Sequence, residues 1–324
     1  MRVLVTGGLG YIGAHVVRAL DAAGHEPLLL DDARRSAERR RGRFRLEKIP
    51  LEDTRRVLEV FAGFRPDAVI HLAGYISVAE SVRSPELYWR NNLGAAASLL
   101  VACACHPVRA FLFSSTAAVY GAVSDAPLRE DRELAPASPY GASKLAFERL
   151  LHATGEALGF ASVALRYFNA AGAVPEWGVG EEHDPEEHLV PRVVRAVLDG
   201  RKAQVYGNDY PTRDGTCVRD YVHVLDLAEV HVLGIEAADR LGGKSWNVGT
   251  GRGHTVLEVI EAVGASLGKK PEVEILPRRP GDPPTLVADP AALERTLGWK
   301  CSHSSLEEIV SSAAEWERCR RAAG

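Results

Sequence analysis

Short apolar runs alternate with helical periodicity through the first half of the chain. Val3-Leu4-Val5, Leu28-Leu29-Leu30, Ala68-Val69-Ile70-His71-Leu72, Phe111-Leu112-Phe113 and Ser162-Val163-Ala164-Leu165 have the length and apolar continuity of buried strands. Between the first two, Ile12, Val16, Val17 and Leu20 follow helical spacing, and Gly24 ends that helix. Further helices are predicted near 53–63, 85–105 and 140–155. Ser84-Pro85 offers the second of these a capping side chain and a proline for its first turn. Strand, helix, strand, repeated in this way, predicts a parallel sheet covered by helices on both faces, an α/β fold of the doubly wound Rossmann type.

Past about residue 170 the rhythm changes. Residues 173–188 are polar and loop-like. Helices are predicted at 189–199, 225–237, 255–267 and 304–320. Short strands are predicted at Val205-Tyr206, 245–248 and 272–276. Turn-rich segments run from Gly207 to Gly215 and from Arg278 to Pro284. The expected division is a dinucleotide-binding domain over 1–172 and a smaller α/β substrate lobe over 173–324, with some chain crossing back.

Composition narrows the function classes. With 39 Lys+Arg against 43 Asp+Glu the formal net charge is −4, so neither nucleic acid nor a membrane surface is an expected partner. No apolar run approaches the roughly 18 residues needed to cross a bilayer. Met1-Arg2 leads straight into the first strand, with no leader pattern. The five cysteines form no CxxC, which suggests reduced thiols, a cytoplasmic setting and no thiolate zinc site; no metal is expected.

Gly7-Gly8-Leu9-Gly10-Tyr11-Ile12-Gly13 follows the first strand and opens the first helix. Glycines there permit a tight turn and let a pyrophosphate approach the backbone at a helix N-terminus. Asp31 ends the second strand, 18 positions beyond Gly13, where a carboxylate would hold a free ribose 2′-hydroxyl. With Asp32 beside it, the pattern points to NAD over NADP. The segment Arg34–Arg45, with seven arginines, is the counter-signal; it is expected to be a solvated loop. Tyr140 and Lys144 are spaced i, i+4 near a helix start and so share one face. A neighbouring ammonium and a cationic nicotinamide would stabilise the phenolate and make Tyr140 a usable base. Ser114-Ser115-Thr116 ends the strand before it, at the edge where open α/β sheets bind ligands.

The glycine loop, the Ser-Ser-Thr run and YxxxK together resemble the extended short-chain dehydrogenases/reductases. More specifically, the chain resembles the UDP-glucose (UDP-galactose) 4-epimerase family over nearly its whole length. Val69–Gly74, Phe113–Gly121, Leu165–Asn169 and, above all, the run Tyr206–His223 carry that resemblance. It implies a retained NAD and inversion at C4 of a UDP-hexose through a transient 4-keto sugar. Tyr140 would take the 4-hydroxyl proton, Lys144 would hold the nicotinamide ribose and depress the Tyr140 pKa, and Thr116 would bond near O4. The cofactor would lie against Gly7, Gly10, Tyr11, Ile12, Gly13, Asp31, Asp32, Leu51, Leu72, Ala73, Gly74, Asn91, Ser114, Tyr167 and Phe168. Asn169, Arg219 and Arg279 would bind the diphosphate. Leu189 and Tyr206 would hold the uracil, Asp282 the uridine ribose, and His188 a phosphate or sugar hydroxyl.

Three positions depart from the family pattern. Pro50 stands where an Asp contacts adenine, Ile76 where a Lys follows the Ala-Gly pair, and His188 where many members have Asn. Leu286 occupies the position thought to gate N-acetylated sugars; its intermediate size implies some turnover of UDP-N-acetylglucosamine. The rivals are a 4-epimerase of another UDP-sugar (the glucuronate or a pentose), a 4,6-dehydratase and a non-catalytic NAD-sensing regulator. The dehydratase would need Asp-Glu where this chain has Ala117-Ala118, and the regulator would commonly lack the Tyr or Lys. The resemblance also implies a homodimer built from the helices at 85–105 and 140–155.

Overall fold

A computed structural model describes residues 1–122, 127–279 and 281–322. Its centre is a seven-stranded parallel sheet. Across the sheet the strands run Lys244–Val248, Ala161–Tyr167, Ala110–Thr116, Ala68–His71, Arg2–Thr6, Glu26–Leu30 and Leu46–Glu47. Arg2–Thr6 pairs with Glu26–Leu30 on one side and with Ala68–His71 on the other. The strand order therefore reverses at Arg2–Thr6, which opens a crevice beyond its C-terminal end.

Every inner strand is covered on both faces, which explains its unbroken apolar run. Val3 and Val5 point to one side, among residues of the helices Tyr11–Ala22 and Val224–Glu236. Leu4 points to the other, with the helices Thr54–Phe64, Ala97–Cys105 and Pro139–Leu158. Leu112 and its neighbours Phe111 and Phe113 divide in the same way. Burial of each such side chain contributes about 1.5–3 kcal/mol.

Helices Leu189–Leu198, Val256–Leu267 and Leu306–Ala322 enclose a third apolar cluster in the C-terminal part. Thr255 and Glu258 start the second of them with a reciprocal capping box. Val218–His223 lies between Gly253–Thr255 and Thr285–Leu286 and also pairs with Asn169–Ala171. This last pairing ties the end of the large sheet to the substrate side.

The expected helix over 85–105 is interrupted. It divides into Pro85–Tyr88, a wide π-helical turn Trp89–Ala95, and Ala97–Cys105. The wide turn carries Asn92, which is buried and clamps Tyr75: its Oδ1 accepts from Tyr75 N at 2.8 Å and its Nδ2 donates to Tyr75 O at 2.9 Å. Nor does Ser84 cap with its side chain, because it ends the preceding helix Val78–Arg83 and donates its N–H to Glu80 O at 2.9 Å. All five cysteines are free thiols. Among the described residues no helix is long and apolar enough to cross a membrane. Pro280, inside the predicted Arg278–Pro284 loop, lies outside the described residues.

Candidate active site

The glycine loop is shaped by close approach. Gly7 has φ +70°, and a Cβ there would come 2.6 Å from Ala73 N. A Cβ on Gly13 would lie 2.1 Å from Gly7 O. Neither position tolerates a side chain, so the loop folds tightly against the end of Ala68–His71. Gly10 precedes the helix without any side-chain cap, which leaves first-turn N–H groups for a ligand.

Asp31 stands at the end of Glu26–Leu30. Its carboxylate accepts from Leu9 N at 3.1 Å and Ala33 N at 2.9 Å, while burial raises its pKa. These elements, the Leu72–Gly74 turn and the ends of the strands Ala110–Thr116 and Ala161–Tyr167 enclose a cavity of about 360 Å³. Each cofactor residue expected from the sequence lines it, as do Thr116, Asn169 and His188. Ile49, Leu51 and Glu52 form the wall around Pro50. Ile76 lines the cavity as well, half-exposed.

Ser138 and Pro139 set the start of the long helix Pro139–Leu158. The Ser138 hydroxyl accepts from Gly141 N at 3.2 Å, and the proline occupies the first turn. Tyr140 and Lys144 therefore sit one turn apart at the cavity floor. Lys144 is buried and donates from Nζ to Ser114 O at 2.9 Å; burial pushes its pKa down to about 8. Burial raises the pKa of Tyr140, and the Thr116 hydroxyl opposes that rise. Gly74 borders this corner, where a Cβ would lie 3.5 Å from Lys144 Nζ. The Lys144 ammonium thus lines the cavity, held there by the Ser114 carbonyl.

A second cavity, of about 240 Å³, adjoins the first, and Asn169, Ala170 and His188 belong to both. Leu189, Tyr206, Arg219, Arg279 and Asp282 line it. Arg279 stacks on Tyr206 with its guanidinium 4.0 Å from the ring centre. Arg219 donates from Nη2 to Asp282 Oδ1 at 2.9 Å and from Nη1 to Pro283 O at 2.9 Å. Asn169 is oriented by its Nδ2–H bond to Asp220 O, 2.8 Å. Arginine forks of this kind suit phosphate oxygens. Leu286 lines neither cavity: it lies opposite Arg219 in the strand register and packs on the apolar cluster that includes Tyr120 and Leu145 and also touches Phe168.

The arginine segment is not simply solvated. Arg40 is buried, donating to Gly180 O at 3.1 Å and Glu182 Oε2 at 3.0 Å. Arg35 and Tyr75 line the first cavity. The polar loop before Leu189 also brings Glu181, His183, Glu186 and His188 together. Local periodicity does not reveal these groupings, although a Glu-x-His-x-x-Glu-x-His spacing runs through the polar segment 173–188.

Residues 3–249 match the NAD dependent epimerase/dehydratase family. The chain belongs to that family. The resemblance read from its motifs therefore holds, and the Gly7–Gly13 cradle fits the family's NAD cofactor. Among similar proteins is the UDP-glucose 4-epimerase of Azospirillum brasilense, 44% identical over 98% of this chain and 92% of that one. The crystal structure of UDP-glucose 4-epimerase from Brucella ovis in complex with NAD superposes with a TM-score of 0.93 at 41% identity, covering 97% of each chain. That of UDP-glucose-4-epimerase from Stenotrophomonas maltophila, with bound NAD and formylated UDP-arabinopyranose, gives 0.94 at 36% identity over 100% of both chains.

Proposed function

We propose that the chain interconverts UDP-glucose and UDP-galactose by inverting the configuration at C4. The observation that carries this reading is the junction of the two cavities: Tyr140, Lys144 and Thr116 lie on the cofactor side, and the arginine-lined cavity shares Asn169 and His188 with it. A UDP moiety held by Arg219, Arg279 and Asn169 would direct its sugar toward Tyr140. Relatives named as UDP-glucose 4-epimerases, at 40–44% identity over nearly the full chain, support the same substrate.

In this reading the Gly7–Gly13 loop and Asp31 would hold NAD, which would supply the acceptor for the C4 hydride and the source of its return. Tyr140 removes the proton from the 4-hydroxyl and gives it back after the sugar has turned over. Thr116 holds O4 and shares the proton path. Lys144 supplies the positive charge that favours phenolate and is itself held by the Ser114 carbonyl. Arg219 and Arg279 keep the diphosphate fixed while the 4-keto sugar rotates about its link to UDP, so either face can receive hydride.

The same reading places the protein in the cytoplasm, in galactose metabolism, as a homodimer. Trp89, Val101, Leu150 and Leu158 expose apolar surface on the Trp89–Ala95 turn and on helices Ala97–Cys105 and Pro139–Leu158, which supports pairing through those elements.

The test is a coupled assay of purified protein on UDP-galactose with no nucleotide added, following UDP-glucose. Turnover that falls at least about 100-fold in Tyr140→Phe is expected. Absence of turnover both with and without added NAD would overturn the substrate assignment, and UDP-glucuronate would be tried next.

A further inference from the structure

The loop that closes the shared wall of the two cavities carries four potential ligands in eight residues. Glu181, His183, Glu186 and His188 each offer one ligand atom, and these atoms all lie within 4.8 Å of one another. The His183 and His188 rings are 5.2 Å apart, centre to centre. His188 Nδ1 is 2.8 Å from Glu186 Oε1 and 3.8 Å from Glu181 Oε2. His183 Nδ1 faces Glu181 Oε1 in close contact.

These contacts leave polar atoms unsatisfied. Glu181 is 7% exposed, and the Glu186 side chain is 5% exposed. Even so, Glu186 Oε2 is buried with no hydrogen bond, its nearest cation being Arg195 at 3.7 Å, while Glu181 Oε1 and His183 Nδ1 have only their contact with each other. A buried carboxylate oxygen without a full partner is costly, and the ligand atoms of the four side chains lie close enough to share one. A proton can satisfy one contact at a time; a cation at the centre satisfies all.

We propose that Glu181, His183, Glu186 and His188 bind a divalent transition-metal ion, best matched by Zn²⁺. Zinc bonds to imidazole nitrogen and carboxylate oxygen measure about 2.0–2.2 Å, so four ligand atoms arranged tetrahedrally around one ion lie about 3.3–3.6 Å apart. Reaching that geometry requires the His183–Glu181 and His188–Glu186 contacts to open slightly and the wider pairs to close. Two imidazoles disfavour the hard cations Mg²⁺ and Ca²⁺, which prefer oxygen alone. Two carboxylates balance the charge of the ion, with both histidines neutral.

The surroundings hold the ligand loop at several points. Trp316 Nε1 donates to Glu181 O at 3.3 Å, Arg40 grips Gly180 O and Glu182, and Arg195 lies 3.7 Å from Glu186 Oε2. Such outer contacts orient ligands around a metal. Glu181, His183 and His188 belong to the wall of the first cavity and His188 also to the second, so the ion would fix the partition between them. Coordination through His188 Nδ1 would leave its Nε2 as an N–H donor. The role is structural, and it stands apart from the identity of the sugar.

The test is metal analysis of untagged protein prepared without chelators. About one zinc per chain is expected, lost on chelation and restored by added Zn²⁺. Cobalt substitution of the wild-type chain should give visible d–d absorption, and Glu186→Ala should abolish both signals. If that variant does not fold, the wild-type stoichiometry and cobalt spectrum decide. Metal far below one per chain in folded protein after incubation with zinc, or a cobalt spectrum no different from the free ion, would overturn the site whatever the activity on UDP-galactose.

Discussion

Arg35 and Glu80 form a two-pronged ion pair that joins the loop after Glu26–Leu30 to the helix Val78–Arg83. Arg35 Nη2 lies 2.8 Å from Glu80 Oε1 and Nη1 3.3 Å from Glu80 Oε2. The guanidinium also covers the Tyr75 ring at 4.0 Å, and Glu80 Oε2 accepts from Tyr88 Oη at 2.8 Å. Arg35 and Tyr75 line the cofactor cavity together with Leu51 and Ile76. As an exposed pair it adds little stability. Its expected effect is on cofactor retention: Arg35→Ala and Glu80→Ala should lose NAD about ten times more readily, equivalent to ~1.4 kcal/mol. NAD content after prolonged dialysis measures this directly. Equal content in variant and wild type would remove the ion pair from cofactor holding.

Tyr140 and Lys144 should set the pH profile. Burial raises the Tyr140 pKa, which opposes the phenolate that the reaction needs. A nearby cation lowers it. Removing that cation in Lys144→Met should therefore move the acid limb of kcat/KM to higher pH, the sign following from a phenol that holds its proton longer. Tyr140→Phe should lower the rate about 10²–10⁴-fold at every pH. An acid limb unchanged in Lys144→Met would mean that Lys144 does not tune the phenol.

The sheet was legible because its inner strands are buried on both faces and so read as plain apolar runs. Val218–His223 was not, since Arg219 and Asp220 interrupt it. Asp220 is nevertheless buried, because its carboxylate accepts from Thr250 N, Gly251 N and Ala288 N. A charged residue satisfied by distant backbone leaves no trace in local periodicity. The π-helical turn around Asn92 escaped for the same reason, being set by the Tyr75 backbone 17 positions away. For the site, motif spacing located the lining of the cofactor cavity, whose residues cluster in the turns after consecutive strands. The Arg35–Glu80 pair and the Glu181–His188 cluster depend on how separate loops, or one folded loop, come together, which spacing alone does not reveal.

Glu148 and Arg166 form a buried ion pair behind the site, with side chains 3% and 5% exposed. Arg166 donates from Nε at 3.1 Å and Nη2 at 2.8 Å, and Ser245 Oγ donates to the same carboxylate at 3.0 Å. Arg166→Leu would leave that carboxylate buried without its counter-ion, at a cost of about 3–5 kcal/mol. The double variant Glu148→Leu/Arg166→Leu should be more stable than the single one. Denaturant unfolding compares them, and a single variant as stable as wild type would contradict the pairing.

Leu286 lies one apolar cluster away from the cavities, in contact with the group that includes Phe168. Against this position an N-acetyl group would meet leucine and not a bulkier aromatic ring. The wild type should turn over some UDP-N-acetylglucosamine, and Leu286→Tyr should lower that activity more than activity on UDP-galactose. No detectable turnover at millimolar substrate would refute the first expectation; equal loss on both sugars would refute the second.

Stability should fall steeply on mild acidification. Burial lowers the pKa of His15 and His71 to about 3, and of His223 and His231 to about 4. All four are buried, and each is held by at least one hydrogen bond to its ring, His71 by Thr6 Oγ1 at 2.6 Å. The sign follows from linkage. The unfolded chain protonates these imidazoles near pH 6.5, whereas the folded chain excludes the charge. The stability they contribute is therefore complete above pH 6.5 and is lost as pH falls toward 4 and 3. Each histidine contributes a slope of about 1.4 kcal/mol per pH unit inside that window. Arg219, Arg279 and the proposed catalytic groups are not involved, so the loss should occur with or without UDP. Thermal unfolding followed from pH 8 to pH 5 should show a fall that begins near 6.5 as the pH is lowered. A melting temperature constant down to pH 5 would mean that these histidines take up protons as readily in the folded chain as in the unfolded one, against the burial that surrounds them.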